Sequence, residues 1–232
     1  MRLNSFISGT GMCSRREADK LIEQNRVEIN GELARLGVRV ETGDQVRVDG
    51  KLLEQKVNDV YIAFNKPVGI TCTTERHIEG NIIDFINYPE RIFPIGRLDK
   101  DSEGLILLTN DGSIVNEILR EENNHHKEYI VTVNKMITPE FIKEMSQGVK
   151  IFNPVKKSYT VTKKCKIEKI DHNSFKITLS QGLNRQIRRM CSGLGYQVVK
   201  LKRIKIMDIR LEGIGIGKWR YLTQKELEKI RK

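Results

Sequence analysis

The first 50 residues contain two stretches in which hydrophobic residues recur at helical spacing. The pattern from Leu3 to Ser8 predicts a short helix. Ser14 and Glu17 have the S-x-x-E spacing of a capping box, in which two side chains satisfy free amides at the start of a helix. The helix that follows is amphipathic, and one of its faces carries Ala18, Leu21 and Ile22.

Alternating hydrophobic and polar residues then predict short strands joined by tight turns. The dipeptides Asn30-Gly31 and Asp49-Gly50 are typical of two-residue hairpin turns, because both central residues of such turns need a positive φ. The polar stretch 54–60 interrupts this pattern, and we interpret it as a linker. The sequence therefore predicts a small domain over residues 1–53 and a larger domain over residues 61–232.

Beyond residue 60 the predicted strands and helices follow one another without a regular β-α-β repeat. Strands are predicted at 61–64, 105–108, 127–134 and 175–179, with two or three more between 198 and 219. Helices are predicted at 114–119, 138–148 and 184–192, and after a capping box formed by Thr223 and Glu226. Residues 153–160 match no pattern, and a loop is expected there. This mixture favours an α+β fold over a doubly wound α/β fold.

Positive charge is concentrated in the last third of the chain. The 232 residues have a formal net charge of +11, and residues 156–232 contain 21 Lys and Arg against 6 Asp and Glu. Such a concentration indicates a polyanionic partner, although a solvated basic surface without a partner would have the same composition.

The four cysteines predict neither a metal site nor disulfides. They form no C-x-x-C pair, and no histidine lies at ligand spacing from them. Residues 1–11 contain no apolar signal segment, and no apolar run approaches the roughly 18 residues needed to span a bilayer. We expect a soluble cytoplasmic protein with reduced thiols, no bound metal and no membrane association.

A carboxylate lies in a polar turn directly before a hydrophobic strand. Asp99 belongs to residues 96–112, which read GRLDKDSEGLILLTNDG. The strand 105–108 anchors the turn, and the positive charges of Arg97 and Lys100 favour the ionised carboxylate. A fixed, ionised Asp is suited to nucleophilic or base catalysis, whereas an isolated Asp in a turn more often caps that turn.

The second predicted helix can present basic residues on one side. Arg15, Arg16 and Lys20 lie largely opposite its hydrophobic face, where they could contact phosphates. A capped surface helix whose arginines pair with Glu17 and Glu23 would have the same local pattern.

Taken in order, these segments resemble the pseudouridine synthases of the RsuA and RluF type, which begin with an S4 RNA-binding domain. The S4-like segments are 2–4, 13–19 and 27–31. The remaining matches are NKPVG at 65–69, the run 96–112, KEY at 127–129 and GLNRQIRRM at 182–190. The resemblance covers nearly the whole chain and is greatest to the ribosomal large-subunit synthase F subgroup.

The resemblance implies a mixed-sheet catalytic domain that isomerises uridine to pseudouridine in RNA. Asp99 matches the catalytic carboxylate, which attacks C1′, attacks C6 or removes a proton from C2′. Arg188 matches the basic residue that pairs with this carboxylate. Tyr129 matches the tyrosine that stacks on the target base, and Ile187 matches the apolar platform on the other side. A uridine buried in a duplex would have to be extruded from the stack.

Further residues are predicted to bind the RNA substrate. The stretch 200–206 alternates basic and hydrophobic residues, and we expect a strand with one face in the core and one cationic face toward RNA. The predicted RNA-binding residues are Arg97, Leu98, Lys100, Asn184, Arg185, Gln186, Ile187, Arg189, Lys202, Arg203, Lys205, Arg2, Arg15, Arg16 and Lys20.

Two functions fit this sequence. One is a cofactor-free pseudouridine synthase that acts on ribosomal RNA, above all the 23S RNA of the large subunit. The other is a non-catalytic RNA-binding or ribosome-assembly factor with the same fold. The joint presence of Asp99, Tyr129 and Arg188 in intact segments favours the enzyme. The expected partners are ribosomal RNA and ribosome-assembly intermediates, and the expected state is a monomer.

Overall fold

The computed structural model describes residues 1–54, 58–119, 125–154 and 157–230. Residues 55–57 of the predicted linker lie outside the described residues, as do residues 155–156 of the predicted loop. Within the described chain no helix has the length and apolar character that a bilayer crossing requires.

The N-terminal residues form two short helices packed on a small antiparallel sheet. The helices are α1 (Leu3–Gly9) and α2 (Arg15–Glu23). The strands are β1 (Val27–Ile29), β2 (Glu32–Leu33), β3 (Val46–Val48) and β4 (Lys51–Leu52), in the order β2-β1-β3-β4. The capping box at Ser14 and Glu17 is confirmed, since each residue binds the backbone N–H of the other. Both turn dipeptides connect paired strands, so the two predicted hairpins are also confirmed.

A large mixed sheet is the centre of the described chain beyond residue 60. Its strands are β5 (Tyr61–Lys66), β6 (Phe93–Ile95), β7 (Glu103–Thr109), β8 (Lys127–Val133), β11 (Lys166–Lys169), β12 (Ser174–Leu179), β13 (Val198–Ile206), β14 (Ile209–Arg210) and β15 (Trp219–Tyr221). The main order is β11-β12-β8-β13-β7-β5-β15, with β14 paired to β13 and β6 paired to β7. Strands β13 and β7 are parallel, whereas their other pairings are antiparallel.

Helices and one further hairpin surround this sheet. The helices are α3 (Ile82–Ile86), α4 (Ile114–Leu119), α5 (Pro139–Gln147), α6 (Gln186–Gly193) and α7 (Gln224–Ile230). Strands β9 (Lys150–Asn153) and β10 (Ser158–Val161) pair with each other, so the loop expected at 153–160 is wrong at residue 153 and at residues 158–160, which belong to these strands. The pattern concealed this hairpin because its hydrophobic residues at 152, 159 and 161 are exposed. The α+β class is confirmed.

Strands β5 and β7 lie in the interior of the sheet and hold the loops at their ends in place. Every residue of β5 and β7 is buried, as expected for strands covered on both faces. One hydrophobic cluster lies under α5 and α6, and others lie on either side of β5 and β7. The N-terminal residues have a separate cluster that includes Leu3, Ile7, Ala18 and Val46. The loop carrying residues 96–102 leaves β6 and enters β7, so a rigid strand fixes each of its ends.

Candidate active site

A cleft of about 540 Å³ opens between the 96–99 loop and the segment that leads into α6. Its lining includes Asp99, Tyr129, Ile187 and Arg203, which come from separate parts of the sequence. The volume falls within the range of roughly 300–1,000 Å³ that is usual for small-ligand sites. The structure therefore brings together two of the three predicted catalytic residues, Asp99 and Tyr129, with the predicted platform Ile187.

The turn that carries Asp99 is held by backbone hydrogen bonds. Ser102 N donates to Asp99 O at 3.0 Å and closes the turn. Gly69 N donates to Lys100 O at 2.8 Å, so the loop after β5 braces the turn from outside. The side chain of Asp99 remains 32% exposed, which leaves its carboxylate accessible from the cleft.

Lys66 stabilises the bracing loop from below. The residue is fully buried, and its Nζ donates to Pro67 O at 2.8 Å and to Ile70 O at 3.0 Å. Burial lowers the pKa of this ammonium, while the nearby carboxylates of Asp99 and Asp101 oppose that shift. Sequence reasoning noted the NKPVG segment but did not assign Lys66 a role.

The arginine nearest to Asp99 is Arg185, not Arg188 as predicted. Arg185 Nη1 lies 3.7 Å from Asp99 Oδ2. Arg185 also donates to both carboxylate oxygens of Asp101, at 3.0 and 2.8 Å. This bidentate pair lowers the pKa of Asp101, with a further contribution from the charge of Arg188.

Arg188 binds the backbone of the turn instead. Its Nη2 donates to Asp101 O at 2.9 Å and to Ser102 Oγ at 3.2 Å, and its Nη1 donates to Val198 O at 3.2 Å. Its Nε lies 3.4 Å from Asp101 Oδ2. The predicted ion pair with Asp99 is therefore wrong in this structure, because the guanidinium of Arg188 contacts Asp101 and Ser102, which lie two and three residues beyond Asp99.

Arg203 lies beneath Tyr129 and ties the two ends of the Asp99 loop together. Its guanidinium carbon is 6.0 Å from the centroid of the Tyr129 ring, a cation–π distance. Nε donates to Leu105 O at 2.6 Å and Nη1 donates to Arg97 O at 3.4 Å. Only 4% of Arg203 is exposed, so the predicted position on a cationic RNA-facing surface is wrong. Strand β13 lies inside the sheet between β8 and β7, and Arg203 is on the face that carries the buried residues Leu201 and Ile206.

The close approach of β7 and β13 depends on Gly104. This residue has a φ of +107° and pairs with Arg203 across the parallel strands. A Cβ atom here would overlap Arg203 O and lie 2.8 Å from Arg203 N. Glycine thus allows the backbone contact that places Arg203 under the cleft.

Several predicted RNA-binding residues lie away from the exposed cleft surface. Leu98 is buried in a hydrophobic cluster, although it also lines the cleft. Gln186 is buried, and its Oε1 accepts a hydrogen bond from Leu183 N at 3.0 Å. Lys202 and Lys205 line a separate cavity of about 390 Å³, and Lys205 pairs with Glu128 at 3.1 Å. The face of β13 that carries Lys202 and Lys205 therefore borders a cavity other than the cleft with Asp99, and RNA contact by these lysines stays a prediction.

The remaining basic candidates keep accessible positions. Arg185 is exposed, and Arg189 Nη2 donates to Asn184 Oδ1 at 2.9 Å. In the N-terminal unit the predicted RNA-binding cations Arg2, Arg15, Arg16 and Lys20 are all exposed. A Cβ atom at Gly112 would lie 3.3 Å from Arg15 Nη2, so α2 approaches the loop after β7.

Comparison with known proteins adds information that geometry alone does not contain. Residues 60–193 match the family model described as RNA pseudouridylate synthase, and residues 1–46 match the S4 domain model. A Salmonella typhi protein named dual-specificity RNA pseudouridine synthase RluF is 58% identical over 228 residues, which cover 97% of this chain and 77% of that protein.

More distant relatives extend over the same length. The Bacillus subtilis protein named ribosomal large subunit pseudouridine synthase B is 33% identical over 99% of this chain and 95% of its own. A crystal structure of a pseudouridylate synthase superposes with a TM-score of 0.72 at 33% identity, and 99% of both chains is covered.

Proposed function

We propose that this chain, which belongs to the RNA pseudouridylate synthase family and carries an S4 domain, isomerises a uridine of ribosomal RNA. The observation that carries the proposal is the shared cleft of Asp99 and Tyr129. The reaction breaks the bond between uracil N1 and ribose C1′ and forms a bond from C5 to C1′. The proton lost from C5 is balanced by one gained at N1, so no co-reactant is required.

Asp99 is the group that acts on the breaking bond. Its carboxylate is accessible from the cleft, while the turn beneath it is held by Ser102 N, by Gly69 N and by the Arg188 guanidinium. A preorganised carboxylate loses little entropy on reaching the reacting atoms. Attack on C1′, addition at C6 and removal of the C2′ proton each need an ionised carboxylate beside the bound nucleotide.

Tyr129 and Ile187 hold the uracil while it turns. The ring of Tyr129 faces the cleft above the buried guanidinium of Arg203, and Ile187 lines the same cavity from α6. Stacking on an aromatic face restrains a detached base without fixing which edge it presents, which is what rotation between N1 and C5 requires. Arg188 acts as a positioning residue for the turn.

The RNA partner is the large-subunit ribosomal RNA, bound by a monomer in the cytoplasm. The Bacillus subtilis relative is named a ribosomal large subunit pseudouridine synthase, which supports large-subunit RNA as the substrate. The Salmonella typhi relative is named a dual-specificity synthase, which is a reason to test a second class of RNA as well. The exposed cations Arg2, Arg15, Arg16 and Lys20 of the N-terminal unit are suited to phosphate contacts outside the cleft. Residues 1–53 would then act as an RNA-binding domain and residues 61–232 as the catalytic domain.

The test compares Asp99→Asn with wild type on 23S, 16S and transfer RNA transcripts. Pseudouridine is mapped by carbodiimide labelling and primer extension, and affinity is measured by filter binding. We expect no pseudouridine from Asp99→Asn and a Kd within about threefold of wild type, because the substitution preserves shape. The matched control is Asp171→Asn in the turn between β11 and β12, and this variant should retain activity. Modification by Asp99→Asn at the wild-type rate would refute the assignment, and a wild type that binds RNA without modifying it would support the assembly-factor alternative.

A further inference from the structure

The β9–β10 hairpin displays two aromatic rings to solvent. Phe152 and Tyr159 are directly opposite each other across the strands, with ring centroids 5.5 Å apart at 69°. Phe152 is 47% exposed and Tyr159 is 68% exposed, so neither ring contributes much to the core. On β9 the alternate residues Ile151 and Asn153 are buried, which fixes the hairpin and orients Phe152 outward.

The sequence that carries these rings is basic. Residues 150–164 contain five lysines and no Asp or Glu. Lys150 Nζ lies 5.2 Å from the centroid of the Tyr159 ring, within cation–π range. An aromatic pair in a basic segment complements a ligand that has both flat rings and phosphates.

The hairpin is linked directly to the rim of the cleft. Arg189 Nη1 donates to Phe152 O at 2.6 Å, and Arg189 Nη2 donates to Asn184 Oδ1 at 2.9 Å. Asn184 lines the cleft that contains Asp99. One guanidinium therefore spans from the rim of the cleft to the strand that carries Phe152.

We propose that Phe152 and Tyr159 form a stacking platform for an unpaired nucleotide of the RNA substrate, near the target uridine. This inference rests on the proposed function, since it assumes that RNA enters the cleft. A single-stranded segment has free base faces, whereas a duplex hides them, so the platform selects unpaired RNA. The exposed lysines Lys150 and Lys157 contact its phosphates. The five lysines of the stretch 150–164, which has no Asp or Glu in its sequence, favour RNA over an apolar segment of another protein as the occupant.

The test measures binding of an unmodified 23S RNA transcript and of a labelled single-stranded oligouridine. We expect Phe152→Ala and Tyr159→Ala each to raise both Kd values by about 5- to 50-fold. The slope of log K against log salt should not change, because no charge is removed. Tyr159→Trp should retain affinity, whereas Tyr159→Leu should lose it. Tyr221→Ala is the matched control, since it removes a 55% exposed aromatic residue from the distant strand β15 and should bind as wild type.

A direct readout of stacking comes from a single reporter. Trp219 is the one tryptophan of the chain, so Phe152→Trp in a Trp219→Phe background gives fluorescence from the platform alone. Oligouridine should quench this signal, and a duplex of equal length should quench it far less. Kd changes below twofold for both alanine variants, or equal affinity of Tyr159→Leu and Tyr159→Trp, would overturn the platform. If that result is found while the alanine variants still form pseudouridine at saturating RNA, the platform is refuted but the proposed function stands. If wild type forms no pseudouridine, the proposed function itself has failed.

Discussion

Arg185 Nη1 lies 3.7 Å from Oδ2 of Asp99 while the same guanidinium holds both carboxylate oxygens of Asp101. The side chain of Arg185 is 41% exposed. One solvent-accessible cation thus contacts two acidic residues of a single turn. An RNA phosphate entering the cleft would compete for this cation, whereas the less exposed Arg188 would keep its contacts with the turn.

Replacing Arg185 should raise the pKa of Asp101 toward its ordinary value. Arg185→Gln removes the two charged hydrogen bonds that are the largest cause of the lowered pKa. A carboxylate whose pKa is lowered by folding stabilises the protein above its unfolded pKa of about 3.9, and this contribution disappears as the pH falls through the folded pKa. The unfolding free energy of Arg185→Gln should therefore fall below that of wild type by the full amount near pH 6. At low pH the two proteins should have the same unfolding free energy.

The magnitude of that loss should stay below about 1 kcal/mol, because both side chains are partly exposed to solvent. Carbon-13 titration of the Asp101 carboxyl and urea unfolding at several pH values provide the measurements. Arg189→Gln is the matched control on α6, since Arg189 bonds to Asn184 and Phe152 instead. An Asp101 pKa that is the same in Arg185→Gln and wild type would contradict the assignment.

Removing the buried guanidinium of Arg203 should reduce both stability and turnover. Arg203→Met leaves the carbonyls of Arg97 and Leu105 without their donor, so we expect the free energy of unfolding to fall by about 2–4 kcal/mol. At a temperature where the variant remains folded, kcat should fall at least about tenfold with little change in KM, because the loop carrying Asp99 loses its tie. Urea unfolding and steady-state kinetics check the two effects.

Lys202→Met is the matched control for Arg203, as it removes a cation from the adjacent position of β13 that faces a different cavity. Its turnover should match that of wild type. Arg203→Lys should recover part of the lost stability but less of the turnover, since one ammonium cannot reproduce the planar arrangement of donors. Equal kcat values for Arg203→Met and wild type would show that the guanidinium does not position the turn.

Local pattern was enough to predict the helices and hairpins whose signals are contained in a few residues. Ser14 with Glu17, Thr138 with Pro139, and Thr223 with Glu226 mark helix starts that the structure confirms. Asn30-Gly31 and Asp49-Gly50 succeeded for the same reason. Each of these signals involves residues at most three positions apart in the sequence, so no tertiary contact is needed to specify it.

Contacts between distant segments were not accessible from the sequence. The partners of Arg203 lie about a hundred positions away, and its burial follows from the interior place of β13 in the sheet. The choice between Arg185 and Arg188 depends on where α6 begins: Arg185 has a left-handed φ of 50° as the N-cap, which turns its side chain toward the Asp99 turn. Neither the hydrophobic periodicity of the sequence nor its resemblance to a family predicts this backbone angle at Arg185.

Gly104→Ala should be among the most damaging small substitutions in the chain. The added methyl group would collide with the backbone of Arg203, and alanine disfavours a φ of +107°. Backbone atoms inside a sheet cannot move aside, so a loss of about 3 kcal/mol or more in unfolding free energy is expected. Thermal and urea unfolding measure it. Gly182→Ala serves as the comparison, since a methyl group there meets no atom within 4 Å, and a similar cost for both substitutions would contradict the close-approach argument.

Substitution of Arg15 and Arg16 should weaken RNA binding in a salt-dependent way. Both side chains are exposed on α2, where cations can replace counterions condensed on RNA. Each phosphate contact contributes roughly 0.7–0.9 to the slope of log K against log salt, so the double alanine variant should have a slope shallower by about 1.5. Filter binding of 23S RNA between about 50 and 200 mM salt gives the two slopes. Arg26→Gln tests a cation of the same unit that is already paired with Asp49 at 2.6 Å, and it should leave the slope unchanged. If the double variant had the wild-type slope, α2 would have no phosphate contacts, and any loss of affinity would have to come from its approach to Gly112.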